Sequence, residues 1–263
     1  MNNKKNNLKV NIIVWCILLM VIIILWEFWY DNSESVRYLI SGPSSIFDYF
    51  VQNKSGLAVD FAVTLTESIV GLLLAISACL IITLIFCFIP FLIQFIYPGL
   101  VVTQVIPLVA LAPLVILIFG PSISGKIAMS VIMCFFPVLV NTITGIKSIP
   151  QHIIDLMYMY SASRWKMIRY VYFPLSTQHI MAGIKISATL SVIGAIIAEF
   201  NGADSGLGRN IFIAAKRLEP ELMMSSLFLS GIMGGLLYFS VVLIEKKIGH
   251  WYLHKSDKLD NKT

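Results

Sequence analysis

"YSASRWKMIRYVYFP", residues 160–174, sets Arg164, Lys166 and Arg169 among aromatic side chains in a chain that is otherwise mostly apolar. Trp165, Ile168 and Tyr172 recur at helical spacing, and the preceding "QHIIDLMYMY", 151–160, does the same with Ile153, Met157 and Tyr160. Pro150 opens the segment, Pro174 closes it, and the polar "SAS" at 161–163 marks a break. Two short helices are therefore predicted in a connection covering 146–179. A basic amphipathic stretch of this kind either rests on lipid headgroups or faces a protein partner, and its neighbours decide which.

Those neighbours are long apolar runs. Of 263 residues, 58% are hydrophobic and 13% charged, about half the charged share of a soluble domain. Crossing a hydrocarbon layer of ~30 Å takes about 20 apolar residues as a helix. Six runs meet that length: 12–30, 67–89, 98–119, 126–144, 180–198 and 222–244. The predicted class is an all-α membrane protein with six transmembrane helices. The first run continues from Lys4, Lys5 and Lys9 to Trp29 and Tyr30 with no small-residue cleavage site, so it reads as an uncleaved helix. Lys147, Arg164, Lys166 and Arg169 follow the fourth run, and Lys246, Lys247 and Lys255 follow the sixth. With six crossings all these cations fall on one side, which the positive-inside rule makes cytoplasmic, together with both termini. Topology thus accounts for the net charge of +5 without nucleic acid. The chain divides into 1–66, a transmembrane helix and an outer segment; 67–248, a five-helix core; and 249–263, a cytoplasmic tail with His250 and His254.

In the outer segment, "SGPSSIFDYFVQ" reads as a turn and a short amphipathic helix capped by Ser44 or Ser45, with Ile46, Phe47, Phe50 and Val51 on one face. The third run, "VIPLVALAPLVILIFG", places Pro107 and Pro113 inside a helix, as packing kinks or as a gate. Cys16, Cys79, Cys87 and Cys134 all fall within apolar runs and read as buried thiols. There is no phosphate-binding loop, and the serine of "GADSG", 202–206, has no histidine on its side of the membrane to serve as base. Lys185 can snorkel to the cytoplasmic interface, and Glu27, Glu67 and Glu199 sit near outer ends. An ion-coupled carrier would carry a charge near the midplane, so the energy source is expected elsewhere.

Asp155, Leu156 and Met157 are followed after three residues by Ser161, and after nine more by Val171, Phe173 and Pro174. That frame is similar to the cytoplasmic signature E-A-A, three residues, glycine, nine residues, I-x-L-P. "IPLVALAPLVILIFG", "FFPVLVNTITGI" and "AEFNGADSGLG" look like further stretches of the same family. From about residue 64 to 251 the chain resembles the permease subunits of bacterial ABC importers, in the branch serving nitrate, sulfonates, taurine and thiamine-pyrimidine precursors. The resemblance implies a type I importer permease-like fold with a cytoplasmic coupling-helix loop. It also implies a second permease copy, two ATPase subunits and an extracytoplasmic binding protein. ATP and magnesium would reside on the ATPase, leaving this chain without a cofactor and without enzymatic activity. Asp155, Tyr160, Ser161, Arg164, Trp165, Ile168, Arg169 and Pro174 are the implied ATPase-coupling residues. Thr103, Gln104, Asn141, Ser187 and Ser191 are candidates for the path, each equally able to be a packing hydrogen bond. Two residues depart from the pattern: Ser161 stands in for glycine, and Glu67 stands where relatives often carry arginine.

Overall fold

Long apolar runs without breakers become long helices, because a backbone in hydrocarbon must satisfy its own hydrogen bonds. The computed structural model describes residues 2–33, 39–103 and 105–260, with the side chains of 2–13, 16, 101, 103 and 249–260 outside that description. Gln104 and the side chains of Thr103, His250 and His254 therefore lie outside the described residues. All regular structure among the described residues is helical.

Helix α1, Asn2–Asn32, covers the first expected crossing. Helix α2 is Pro43–Gln52, and α3 is Lys54–Phe88. The third expected crossing is not one helix. It divides into α4, Pro90–Thr103, a 3-10 turn, Leu108–Leu111, and α5, Ala112–Phe119. Pro107 precedes the 3-10 turn in an extended conformation, and Pro113 falls in the first turn of α5, where its missing N–H has no partner to lose. The two prolines thus bound elements; neither lies in a helix interior. Helix α6 is Ile123–Lys147 and α7 is Gln151–Met159. Helix α8, Arg164–Met167, passes through a π-turn, Ile168–Tyr172, directly into α9, Phe173–Glu199. Pro174 therefore does not end the segment. Its ring would crowd the Tyr170 carbonyl in a regular helix, and the wider π-turn just before it relieves that crowding. Helices α10, Leu207–Arg217, and α11, Pro220–Asp260, complete the chain.

Four helices among the described residues are long and apolar enough to cross a membrane: Lys54–Phe88, Ile123–Lys147, Arg164–Glu199 and Pro220–Ile248. The most extensive packing is between α6 and α9. Small residues bring the two backbones together: a Cβ on Gly194 would lie 2.8 Å from Ser130 Cα, and one on Gly183 would lie 2.9 Å from the Pro137 carbonyl oxygen. Cys134 and Ser187 then exchange bonds across the contact, the hydroxyl donating to the Cys134 carbonyl at 2.9 Å and the thiol to the Ser187 carbonyl at 3.2 Å. Helix α3 lies against α6 in the same way, where a Cβ on Gly71 would strike Ser130. Cys79, Val138, Leu139 and Ile143 fill the core beyond.

The cap of α2 differs from expectation. Gly42 occupies the N-cap with Pro43 in the first turn. Ser44 instead donates its hydroxyl and backbone N–H to the Glu27 carboxylate of α1, and Ser45 bonds the Tyr30 hydroxyl at 3.1 Å.

Because the two nearest atoms facing Gly194, Ser130 Cα and the Met129 carbonyl oxygen, are backbone and cannot rotate away, Gly194→Val is expected to destabilise the protein by about 1–3 kcal/mol. Thermal unfolding of the detergent-solubilised protein checks this, and an unchanged midpoint would contradict the close-contact account.

Candidate functional site

At one end of the helices, α7 and α8 form a hairpin whose turn rests on Ser161. The residue has φ +50°, the left-handed conformation. Its N–H bonds the Tyr158 carbonyl at 2.9 Å, and the Ala162 N–H bonds the Met157 carbonyl at 3.0 Å. That pair of bonds is a Schellman motif with Ser161 at the position that favours glycine. Ser163 then caps α8, accepting from the Lys166 N–H at 3.4 Å.

The hairpin is bound to the end of α3. Arg164 donates to the Phe88 carbonyl, supplying a cation and a donor at a helix C-terminus, and Trp165 stacks on the Phe88 ring with centroids 6.5 Å apart. Ile168 is buried at 2% exposure and faces inward, while Arg169 is exposed. Asp155 is exposed and accepts from the Gln151 side-chain amide at 3.0 Å. Apolar exposure concentrates on α7 and its turn: Leu156, Tyr158, Met159 at 83% and Tyr160 at 78%. Tyr158 and Met159 were not singled out from the sequence and Leu156 entered only as part of the signature frame, because helical periodicity reveals that two faces differ but not which of them is left exposed.

A cleft of about 340 Å³ opens between the 3-10 turn, α6 and α9. Met133, Phe136, Val140 and Leu190 line it together with Pro137 and Asn141. Pro137 has no N–H for the Met133 carbonyl, and Asn141 donates its amide to the Pro137 carbonyl at 2.7 Å. Of the described path candidates, Asn141 borders this cleft. Ser187 and Ser191 are fully buried in the α6–α9 contact, where the Ser191 hydroxyl bonds the Ala188 carbonyl and its own carbonyl accepts from Ser130.

Near the far ends of the same helices, a buried polar cluster joins four elements. Lys126 Nζ of α6 lies 3.0 Å from Glu67 Oε1 of α3, with side chains 7% and 0% exposed. Glu199, at the end of α9, accepts from the Thr64 hydroxyl at 2.7 Å and from the Gly208 N–H. Thr64 accepts from the Leu207 N–H at 2.9 Å, and Asp60 accepts from the Gly206 N–H at 2.9 Å and from Asn210 at 2.7 Å. The unpaired donors of the first turn of α10 are thus met by α3 and Glu199, with negative charge at the positive end of the helix dipole. Gly206, at φ +123°, leaves room for the Glu199 carboxylate, which a Cβ there would overlap. The sequence placed Glu67 and Glu199 near outer ends but held no sign that they share a cluster, since Lys126 and Glu67 are 59 positions apart. Closer to the hairpin, Lys185 likewise does not reach for solvent alone: it pairs with Glu245 of α11 at 2.9 Å.

The family described as binding-protein-dependent transport system inner membrane component matches residues 90–250. Among relatives, the riboflavin transport system permease protein RibX of Chloroflexus aurantiacus is 34% identical over 60% of this chain, which spans 59% of that protein's length. The formylaminopyrimidine transport permease protein ThiX of Halalkalibacterium halodurans is 28% identical, over 88% of this chain and 93% of the relative. The SsuC protein of Bacillus subtilis, whose name assigns it to aliphatic sulfonates, is 28% identical over 59% of this chain and 56% of the relative.

Two outcomes are expected from these contacts. Lys126→Met, which strands the buried Glu67 carboxylate, costs about 3–5 kcal/mol, and adding Glu67→Met recovers most of it; thermal unfolding of single and double variants measures both. Ser161→Gly relieves the left-handed serine and stabilises the hairpin by about 1 kcal/mol, read as slower amide exchange at Ala162.

Proposed function

The chain belongs to the binding-protein-dependent transport system inner membrane component family, and on that premise we propose that it is the permease subunit of an ATP-driven importer. In this reading six crossings, the first made by α1 and the third by the broken α4–α5 region, form half of a path completed by a second permease copy. The hairpin and both termini lie in the cytoplasm, in keeping with the lysines and arginines gathered there. Two ATPase subunits carrying ATP and magnesium bind the hairpins, and a binding protein delivers solute to the opposite face.

The observation that carries this reading is the exposed apolar surface of Leu156, Met159 and Tyr160 at the tip of the hairpin. Apolar side chains left uncovered beside charged ones suit a protein partner better than water. Below them, the docking of Arg164 and Trp165 on Phe88 makes the hairpin and the end of α3 one lever. Force applied at the hairpin by closing ATPases passes into α9 without a break, because α8, the π-turn and α9 are continuous.

The solute in this reading is small, either an anion of the nitrate, sulfonate or taurine type or a heterocycle such as a vitamin precursor. The heterocycle is favoured by the cleft beside Asn141, whose lining has no charged side chain and combines an aromatic ring with an amide. The names of RibX and ThiX lie in the same direction.

In the complex reconstituted with its ATPase and binding protein, Met159→Ala combined with Tyr160→Ala is expected to lower substrate-stimulated ATP hydrolysis about tenfold. Full stimulation in a normally assembled complex would overturn the coupling role of the hairpin.

A further inference from the structure

Away from both the hairpin and the cleft, α1, α2 and α11 enclose an apolar groove of about 420 Å³. Ile23 and Trp26 of α1, Phe47 and Phe50 of α2, and Phe228 and Ile232 of α11 line it, and Trp26 stacks on Phe228 at 5.9 Å. Among the lining side chains Ser225 carries the one hydroxyl, in a residue 2% exposed and with no hydrogen-bond partner among the described residues. Serines in helices ordinarily give their proton to a carbonyl of the preceding turn, as Ser230 and Ser240 do farther along α11 at 2.7 Å. Ser225 does not, and a buried unmade bond is costly unless a ligand supplies the acceptor.

One turn before Ser225, on the same face of α11, stands Glu221, and one and two turns after it stand Phe228 with Leu229, then Ile232. Glu221 has no ion pair among the described residues, whereas its neighbour Glu219 lies 4.0 Å from Arg217. It stands in the first turn of α11, the helix that packs against α2; burial first, and then the carboxylates of Glu219 and Glu221, raise the pKa of the Tyr49 phenol on α2. Along this face of α11 a carboxylate outside the groove lining, Glu221, is followed by the Ser225 hydroxyl and then by the hydrocarbon of Phe228, Leu229 and Ile232. A phospholipid has the same order of amine, ester carbonyl and acyl chain. Helix α11 is long and apolar enough to cross a membrane and α1 is the first crossing in the proposed reading, so lipid is the medium into which the groove opens.

We propose that this groove holds an acyl chain of a phospholipid with a protonated amine headgroup, Ser225 donating to an ester carbonyl and Glu221 facing the amine. The carboxylates of Glu221, Glu219 and Asp48 around α2 select against an anionic headgroup. The site is independent of the coupling role of the hairpin, so either can fail alone.

Native mass spectrometry of the full-length protein in mild detergent, with phosphatidylethanolamine or phosphatidylglycerol added at equal concentration, tests the assignment. Retention of the ethanolamine lipid is expected to exceed that of the glycerol lipid about fivefold. The preference is expected to fall at least twofold in Glu221→Gln, and both lipids are expected to be lost in Ser225→Phe, which fills the groove. Equal retention by the unsubstituted protein, or a preference unchanged in Glu221→Gln, overturns the proposal. A second measurement does not depend on Ser225→Phe folding: a fluorophore attached through Val51→Cys is expected to be quenched by phosphatidylethanolamine with brominated acyl chains. Absence of quenching, or disulfide cross-linking of the unlabelled Val51→Cys protein to a second copy of the chain, likewise overturns it.

Discussion

Everything in this protein is arranged around the place where small residues let α6 and α9 approach backbone to backbone. At Gly183 and Gly194 the helices approach to the limit set by backbone atoms, and Ser130, Cys134, Ser187 and Ser191 use the proximity to bond across or along the contact. In a membrane, helix association gains little from removing apolar area, because lipid tails are as apolar as leucine. Close van der Waals contact and short polar bonds supply the specificity instead. The small residues are therefore the framework against which α3 and α5 are positioned.

The two ends of that framework are built in opposite ways. At one end charge is buried: Lys126 pairs with Glu67, Glu199 accepts from Thr64 and the Gly208 N–H, and the half-buried Asp60 accepts from the Gly206 N–H and Asn210. Removing one partner there exposes the full penalty of an unpaired ion in a poor dielectric, so the arrangement fixes the relative positions of α3, α6, α9 and α10. At the other end apolar groups are left outside, on α7 and its turn, while the charged Arg164 is turned back to hold the end of α3. The first end locks the bundle, and the second leaves apolar side chains uncovered. Between them Pro137 and Asn141 open the α6 face into a cleft, where a helix without proline would present a closed surface.

Much of this was legible beforehand because hydrocarbon imposes a length and a composition on whatever crosses it. The apolar runs at 67–89, 126–144, 180–198 and 222–244 correspond to helices α3, α6, α9 and α11, and the break at 161–163 separates α7 from α8. The run at 98–119 has the same composition but divides into three pieces, since proline leaves apolar character unchanged while removing the donors that a continuous helix needs. Pro174 misled in the opposite sense, because a π-turn carries the helix past it. The left-handed strain at Ser161 was readable as a question, since glycine was wanted there and serine is present; its Schellman bonds give the strain a purpose.

By itself the sequence determined the all-helical membrane class, the approximate positions of most long helices and the two-helix hairpin, since each follows from local periodicity, breaker residues and charge. Tertiary structure alone decided which polar groups meet. Lys126 found Glu67, Glu199 found Thr64, and Arg164 found Phe88, each across tens of residues of chain or more, while Glu199 also met the nearby turn at Gly206–Gly208. It also decided that Ser187 and Ser191 are internal while Asn141 borders the cleft. The physical reason is that helix formation is a matter of neighbours in sequence, whereas the partner of a buried polar group is chosen by close packing between segments that no local pattern connects.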